Sequence, residues 1–244
     1  MISTYAYNEN IKIEAVIKRI YKADLAGHGG QLHGNHIEVV VVDDGSSDDF
    51  PSSLQEEYGF TLLTNDINKG IGYSIRRVIR HGMNNGSDIL VIMAGNNKDN
   101  PAEIPRLVQP VLEGEADFVQ GSRYLPGGRY GAMPIYRRIA TQYVHPMVTA
   151  LVTGKRLRDT TNGFRAMRLS VFNDPIWNLD QEWLDHYGME YYLLYYFLCF
   201  YRYIEVPVTK IYPPKKLGYT KIAPLRGWWD ILRPLLYLGL GIRK

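Results

Sequence analysis

The sequence predicts an α/β protein in which helices flank a mostly parallel sheet. Strand-like and helix-like patterns alternate over the first 125 residues, and such alternation produces right-handed β-α-β units. The segment Ile37–Val42 is dominated by β-branched residues, which is typical of a strand buried on both faces of a parallel sheet. Polar residues follow most of the strand patterns, as in folds that bind ligands at one sheet edge.

Each element rests on a local pattern. Apolar residues at helical spacing predict a helix over Ile11–Leu25, and further helices are expected over Tyr73–His81 and after Pro101, where the missing N–H costs little. The aromatic stretch Tyr187–Tyr203 is expected to form a helix packed beneath the site. The expected strands are Ile2–Tyr7, Ile37–Val42, Phe60–Thr64, Asp88–Met93 and Asp117–Gln120.

Four polar clusters follow strand patterns. Because the carboxyl ends of parallel strands meet at one edge of a sheet, we expect these clusters to form a single site. They are Tyr7-Asn8-Glu9, Asp43-Asp44-Gly45-Ser46, Gly95-Asn96-Asn97 and Gly121-Ser122-Arg123.

The net charge of +3 is unevenly distributed along the chain. The part after residue 201 contains nine Lys and Arg but only two acids, Glu205 and Asp230. A basic segment of this kind can meet a membrane surface, a nucleic acid or a phosphorylated ligand. The single cysteine, Cys199, excludes an internal disulfide framework and a multi-cysteine zinc site.

The C-terminal segment has the composition of an interfacial helix. Trp228–Leu238 combines adjacent tryptophans and leucines with flanking cations, which is typical of a helix on an anionic leaflet. A helix docked on the core, or on a partner in a homo-oligomer, is the alternative. No segment has the pattern of a membrane span or a signal peptide, so we expect a cytoplasmic protein, peripheral at the cytoplasmic face of the membrane.

Five short motifs occur in a fixed order: Tyr5-Ala6-Tyr7-Asn8-Glu9, Val41–Asp48, Asn68–Gly72, Gly121–Tyr124 and Thr161–Ala166. Together they resemble the motifs of family 2 glycosyltransferases with the GT-A (Rossmann-like) fold, closest to the dolichyl-phosphate mannose synthase branch. The resemblance implies a GT-A domain over residues 1–222, with a donor-binding half at about 1–125 and an acceptor half at about 126–222. An amphipathic, membrane-associating segment would follow at 223–244.

The resemblance assigns nucleotide-sugar binding to residues at the strand ends. Asp44 can accept a hydrogen bond from a base N–H, Glu9 can accept one from a hydroxyl or base edge, and Tyr7 can pack on the base. For Asp44, capping of the next helix is the alternative. The implied donor contacts are Tyr5, Ala6, Tyr7, Glu9, Val42, Asp44, Gly95, Asn96 and Arg123.

The sequence departs from the family after the strand Asp88–Met93. The family has Asp-Ala-Asp there and binds Mg²⁺ or Mn²⁺, whereas this chain has Ala94-Gly95-Asn96, and one amide is a poor replacement for two carboxylates. Lys98 could act in catalysis by supplying the missing charge to the leaving diphosphate. The alternatives are a metal ion held by Asn96 and Asp99, or a solvated loop pair of Lys98 and Asp99.

Further cations are assigned to phosphate by the resemblance. Arg137 and Arg138 follow Arg123 at the spacing of a second arginine in the mannose synthases. Lys215 and Lys221 lie in a segment that resembles the phosphate-covering Arg-x-x-Gly-x-Ser-Lys loop of the same branch.

A carboxylate base is required if the acceptor is a hydroxyl. The candidates are Asp159, Asp185 and Glu190, and Glu190 is favoured because it lies within an apolar, helix-like stretch. A paired structural carboxylate is the alternative for Glu190. A lipid phosphate needs no base, because it is already an anionic nucleophile.

These features predict an inverting glycosyltransferase that moves a sugar from a nucleotide-sugar donor to a membrane-associated acceptor. The acceptor would be a polyprenyl phosphate or a lipid-linked or cell-surface glycan, and the missing acids predict metal independence. The rival interpretation is a non-catalytic relative that binds a nucleotide sugar or glycan as a regulatory or scaffold subunit. Nucleic-acid binding is not expected, since the sequence has no recognition helix or aromatic RNA platform.

Overall fold

The computed structural model describes residues 1–27, 30–48, 50, 52–212 and 226–243. Within these ranges seven strands form one sheet: β1 (Ile2–Ala6), β2 (Val39–Asp43), β3 (Thr61–Thr64), β4 (Ile89–Ala94), β5 (Phe118–Ser122), β6 (Arg165–Arg168) and β7 (Tyr203–Pro207). Their order is β3-β2-β1-β4-β6-β5-β7. Only β6 runs antiparallel to its neighbours, β4 and β5. The prediction of a mostly parallel sheet is therefore confirmed.

Helices cover both faces of the sheet. They are α1 (Asn10–Lys22), α2 (Ser52–Tyr58), α3 (Ile71–Asn84), α4 (Ile104–Leu112), α5 (Ile135–Ile139), α6 (His145–Thr153), α7 (Gly188–Phe200) and α8 (Arg226–Gly239). One core cluster joins α1, α2 and α4 to the sheet, and a second joins α3, α7 and α8 to the opposite face. Because both faces are covered, the strands are apolar throughout and not alternating.

The sequence patterns locate the first five strands within two residues of their observed bounds. They do not predict β6 and β7. The segment Arg165–Arg168 is only four residues long and begins and ends with arginine, so it lacks the apolar run that marks a buried strand. The aromatic stretch does form a helix, α7, but it ends at Phe200, and β7 begins at Tyr203.

The C-terminal helix α8 docks on the protein. Its side chains Ile231, Leu235 and Leu238 are at most 5% exposed and belong to the same core cluster as α7. Trp229, on the same helix, is 52% exposed. The inner face of α8 thus packs on the protein core, as in the alternative of a docked helix. No helix in the described part of the chain is long and apolar enough to span a bilayer.

Candidate active site

One edge of the sheet gathers most of the residues that the sequence singles out. The carboxyl ends of β1, β2, β4 and β5 all point to this edge, because β6 is antiparallel to both of its neighbours. The segment that precedes β6 therefore reaches the same edge from the opposite chain direction. The residues placed there are Tyr7, Glu9, Asp44, Asn96, Lys98, Arg123 and Asn162.

The Asp44 carboxylate organises the loop that leads into α3. Its oxygens accept hydrogen bonds from Asn65 Nδ2 (2.6 Å), the Lys69 amide (3.0 Å) and the Gly70 amide (2.9 Å). Gly70 has φ +97°, and a Cβ there would meet the Asp185 carbonyl oxygen at 2.4 Å, so this turn requires glycine. A carboxylate has about four lone-pair positions, so Asp44 retains capacity for a base N–H.

Three predicted donor residues have buried side chains. Tyr5 is 9% exposed, and its hydroxyl lies 2.8 Å from Ser3 Oγ, while Val42 is fully buried and Ala6 is 3% exposed. Burial raises the pKa of the Tyr5 phenol. Any contact of these residues with a donor would thus involve their main chain. Tyr7, by contrast, is 40% exposed, and its ring is accessible for packing against a base.

Two of the predicted phosphate-binding cations converge on one aromatic ring. Lys98 Nζ lies 4.9 Å from the ring centroid of Tyr212, and Arg137 Cζ lies 5.3 Å from it. Within the described residues, the buried Arg137 Nη1 atom has no hydrogen-bond partner. A buried N–H without an acceptor is costly, and an anionic ligand would satisfy it. We call Lys98, Arg137 and Tyr212 the cation cluster.

The Lys98 ammonium lies in a positive environment. Partial burial and the charges of Lys210, Arg137 and Lys12 lower its pKa to about 8, and Glu9 opposes part of the change. A bound diphosphate would raise this pKa again, because an anion stabilises the protonated amine. The cluster is therefore electrostatically suited to receive negative charge.

The other predicted phosphate residues lie elsewhere. Arg138 follows Arg137 on α5 but points away from the cluster, with its Cζ 5.2 Å from the ring centroid of Tyr130 and its Nε donating to Gln142 at 3.1 Å. Lys215 and Lys221 lie outside the described residues.

Arg123, predicted to contact the donor, is bound by its own protein. Its Nε and Nη2 atoms donate to the two carboxylate oxygens of Asp159 at 2.6 and 2.7 Å. Nη2 also donates to Thr161 Oγ1, and Nη1 donates to the Tyr212 hydroxyl at 3.0 Å. Arg123 is 2% exposed and Asp159 is fully buried. Although burial alone would raise the pKa of Asp159, Arg123 holds it below the usual value. The geometry makes Arg123 a support for Tyr212, and its donor contact remains a prediction.

The structure distinguishes the three candidate bases. The Asp159 carboxylate is committed to the buried ion pair just described, and Asp185 Oδ1 accepts a hydrogen bond from Arg76 Nη2 at 2.6 Å. Glu190 is partly buried in the first turn of α7. No side chain in the described ranges forms a hydrogen bond or ion pair with its carboxylate. Glu190 is therefore the candidate whose carboxylate remains available.

The surroundings of Glu190 connect it to the strand-edge site. A Cβ added to Gly163 would lie 3.2 Å from Glu190 Oε1, so the loop before β6 faces this carboxylate. Arg165 is 2% exposed and donates to the main-chain carbonyls of Glu190 (3.1 Å) and Asn162 (2.9 Å). One buried guanidinium thus joins the start of α7 to the Asn162-Gly163 loop.

The end of β4 and the loop after it do not fit a divalent cation. Ala94 and Gly95 offer no side-chain oxygen, and a Cβ at Gly95 would lie 2.0 Å from the Tyr5 carbonyl. Both oxygens of Asp99 accept hydrogen bonds from Lys210 Nζ, at 2.7 and 2.9 Å. The part of the chain that the structure describes has no group of three His, Cys, Asp or Glu side chains that could hold a metal ion. The nearby positive charges oppose a metal ion further.

Sequence reasoning missed three residues that build this site: Arg165, Lys210 and Tyr212. Arg165 is a charged residue between Phe164 and Ala166, and Lys210 follows the apolar run Val206–Val208. A charged residue inside an apolar segment is the signal that could have marked both as buried and paired. Tyr212 carries no such signal.

Comparisons with known proteins identify relatives of this chain. Residues 2–174 match the family model described as glycosyl transferase family 2. A dolichol-phosphate mannosyltransferase of Pyrococcus furiosus is 30% identical over 169 residues, which are 68% of this chain and 45% of that protein. The chain thus spans less than half of that relative. A polyprenol monophosphomannose synthase of Mycolicibacterium smegmatis is 26% identical over 226 residues, covering 89% of this chain and 78% of that protein.

A solved structure shares the fold. The glucosyl-3-phosphoglycerate synthase of Mycobacterium tuberculosis, crystallised with Mn²⁺ and UDP, superposes with a TM-score of 0.62 at 19% identity. The match covers 100% of this chain and 80% of that protein. At this identity the likeness shows the fold alone.

Proposed function

The chain belongs to glycosyl transferase family 2, and on that premise we propose that it transfers a sugar from a nucleotide-sugar donor to a polyprenyl phosphate without a divalent cation. Relatives named as mannosyltransferases acting on dolichol or undecaprenyl phosphate support this acceptor class. The observation that carries the proposal is the cation cluster. It places two positive side chains at the strand edge where the family's metal carboxylates are absent.

The proposed reaction is a single inverting displacement. The acceptor oxygen forms a bond to the anomeric carbon as the bond from that carbon to the donor phosphate breaks, and the nucleoside diphosphate leaves with the electron pair. Lys98 and Arg137 stabilise the charge that develops on the leaving group, in a partly buried site where such interactions are strong. With a pKa of about 8, Lys98 is mainly protonated at pH 7.

A second candidate acceptor is the hydroxyl of a lipid-linked glycan. The observation that favours it is Glu190, whose carboxylate has no hydrogen-bond or ion-pair partner in the described part of the chain and faces Gly163. A hydroxyl must lose its proton during the attack, whereas a phosphate monoester already presents an anionic oxygen at neutral pH. A hydroxyl acceptor therefore requires Glu190 as a base, whereas a phosphate acceptor does not.

The test is a transfer assay with UDP- and GDP-sugars in EDTA or Mn²⁺. We expect wild-type protein to glycosylate undecaprenyl phosphate at similar rates in both conditions, and Glu190→Gln to stay within about tenfold of wild type. Transfer only to a lipid-linked glycan, with a loss of roughly 10²–10⁴-fold in Glu190→Gln, would identify a hydroxyl acceptor instead. Turnover only with Mn²⁺ would contradict metal independence, and tight nucleotide binding without transfer to any acceptor would support the non-catalytic rival.

We also propose that the protein acts peripherally on the cytoplasmic face of a membrane, through α5 and α6. Apolar side chains at every fourth position are 51–78% exposed along one side of these helices: Ile135, Ile139, Tyr143, Met147 and Leu151. A four-residue repeat drifts around a regular α-helix, and the wider π-helical turn at Ala140–Val144 offsets part of that drift. Exposed arginines flank this apolar stripe at positions 138, 156 and 158. Three residues of the stripe, Tyr143, Met147 and Leu151, line a groove of about 920 Å³.

Vesicle flotation tests the membrane proposal. Wild-type protein should float with vesicles that contain anionic lipid, and Ile139→Glu/Met147→Glu should lose most of this binding, because a charged side chain is costly at the apolar boundary. Leu112→Glu, at an exposed position on α4, is the matched control and should float like wild type. Equal flotation of all three proteins would show that the stripe is not the contact.

A further inference from the structure

Lys210 is a buried lysine just beyond β7 whose ammonium is enclosed by oxygen atoms. Its Nζ donates to Asp99 Oδ1 (2.7 Å), Asp99 Oδ2 (2.9 Å) and Asn162 Oδ1 (3.2 Å). Lys210 is 8% exposed, Asp99 is 2% exposed and Asn162 is fully buried. An ammonium group has three N–H donors, so all three are used within the protein and none is left for a substrate.

The oxygen atoms around Lys210 are of the kind that bind hard divalent cations. A carboxylate and an amide carbonyl are ligands of Mg²⁺ or Mn²⁺, but here they surround an ammonium. The charge balance is also comparable. A divalent cation with two carboxylates sums to zero, and so does Lys210 with Asp99. The Lys210–Asp99 pair thus has the same net charge as a divalent cation held by two carboxylates.

The three residues connect the two halves of the site. Asp99 follows Lys98 in the loop after β4, and Asn162 precedes Gly163, which faces Glu190. The main chain reinforces the link, since the Ile211 amide donates to the Lys98 carbonyl at 2.9 Å. Lys210 therefore holds the loop of the cation cluster against the loop that faces Glu190.

We propose that Lys210 takes the structural role of a divalent cation. By binding Asp99 and Asn162, its ammonium holds the two loops together and so positions Lys98 for the donor diphosphate. This inference rests on the proposed function. It makes Lys210 a positioning residue, because its ammonium has no donor left to contact the substrate.

Chemical rescue provides the first test. Lys210→Ala should lower kcat at saturating donor by at least tenfold, and n-propylammonium, which replaces the lost atoms, should restore at least half of the activity. Tetramethylammonium has the same charge but no N–H donor, and it should not restore activity. Lys22→Ala, at an exposed position at the end of α1, is the matched control and should behave like wild type. Full activity in Lys210→Ala would overturn the proposal.

The pH profile of nucleotide binding provides a second readout. Besides burial, the charges of Lys210, Arg137 and Lys12 lower the pKa of Lys98 within the described part of the chain, and that of Glu9 raises it. Removing the Lys210 charge should raise the pKa of Lys98, so the midpoint at which UDP or GDP affinity falls should move to higher pH. An unchanged midpoint would contradict an electrostatic link between Lys210 and Lys98.

A double variant keeps the proposal testable if Lys210→Ala unfolds. Asp99→Asn/Lys210→Met removes both charges of the buried pair, so it should fold but transfer sugar slowly. Wild-type activity in this folded variant would overturn the inference. If wild-type protein itself requires Mn²⁺ or transfers no sugar, the proposed function fails. If wild type is insensitive to EDTA and the double variant matches it, only the role of Lys210 fails.

Discussion

Replacing Arg123 with methionine is expected to lower the free energy of unfolding by about 3–5 kcal/mol, because it leaves the Asp159 carboxylate buried without its counter-charge. Asp159 is fully buried, and Arg123 supplies two of its hydrogen bonds through the guanidinium. The Tyr212 hydroxyl and Thr161 Oγ1 would lose a donor as well. Urea denaturation at pH 7 measures this loss directly.

An exposed ion pair with the same nitrogen–oxygen distance is the control. Lys18 Nζ lies 2.6 Å from Glu14 Oε1, the separation also found between Arg123 Nε and Asp159 Oδ2, but the Lys18 side chain is 50% exposed. Lys18→Met should cost less than about 1 kcal/mol, since surface pairs contribute little. Equal effects of the two substitutions would mean that burial does not determine the importance of the Arg123–Asp159 pair.

Removing both cations of the cluster, in Lys98→Met/Arg137→Met, is expected to weaken UDP or GDP binding at least a hundredfold in EDTA. Each charge-assisted hydrogen bond contributes about 1.5–3 kcal/mol, and roughly 1.4 kcal/mol corresponds to a factor of ten. Titration calorimetry measures the affinity. Arg138→Met is the control, because Arg138 lies against Tyr130, outside the cluster. If Arg138→Met lost as much nucleotide affinity as the double variant, Arg138 would be a phosphate-binding residue after all.

Protonation of Lys98 should make both nucleotide affinity and the free energy of unfolding depend on pH. Nucleotide affinity of the wild type should decline as pH rises above about 8, the pKa of Lys98 in the folded protein. Because the ordinary pKa of a lysine is 10.5, the unfolded chain binds more protons than the folded protein between pH 8 and 10.5, so Lys98 should make folding more favourable as pH rises through that window. Lys98→Met should lack both effects, and a variant that kept them would exclude Lys98 as their source.

The strands and helices on the donor side of the fold could be predicted because each produces a pattern within its own short segment. The β-branched run that ends at Val42 and the helical spacing from Ile13 to Ile20 depend on burial within one element. Their polar ends, such as Asp44, then follow from the topology of a parallel sheet. The chemical need for a carboxylate base and the apolar stretch around Glu190 placed it among the candidates, and the structure shows that its two rivals are held in ion pairs.

The partners of the charged groups could not be predicted in the same way. Lys210 pairs with Asp99 across 111 positions, and Arg123 pairs with Asp159 across 36. Neither spacing leaves a periodic trace in the sequence. From sequence alone, an isolated Lys or Arg is therefore predicted to be solvent-exposed, and only the fold shows which carboxylate binds it. The resemblance assigns Arg123 to the donor, and no local pattern indicates that its guanidinium binds Asp159.

The antiparallel strand β6 sets the distance between the two sides of the site. Adjacent strands lie about 4.8 Å apart, so inserting β6 separates the carboxyl ends of β4 and β5 by about 10 Å. A sheet in which β4 and β5 were neighbours would crowd the loops after these strands together. With β6 between them, the loops after β4 and β5 lie about two strand spacings apart, and the Asn162-Gly163 loop, which leads into β6, lies between them. The spacing of these loops is thus fixed by the backbone, independently of which side chains the loops carry.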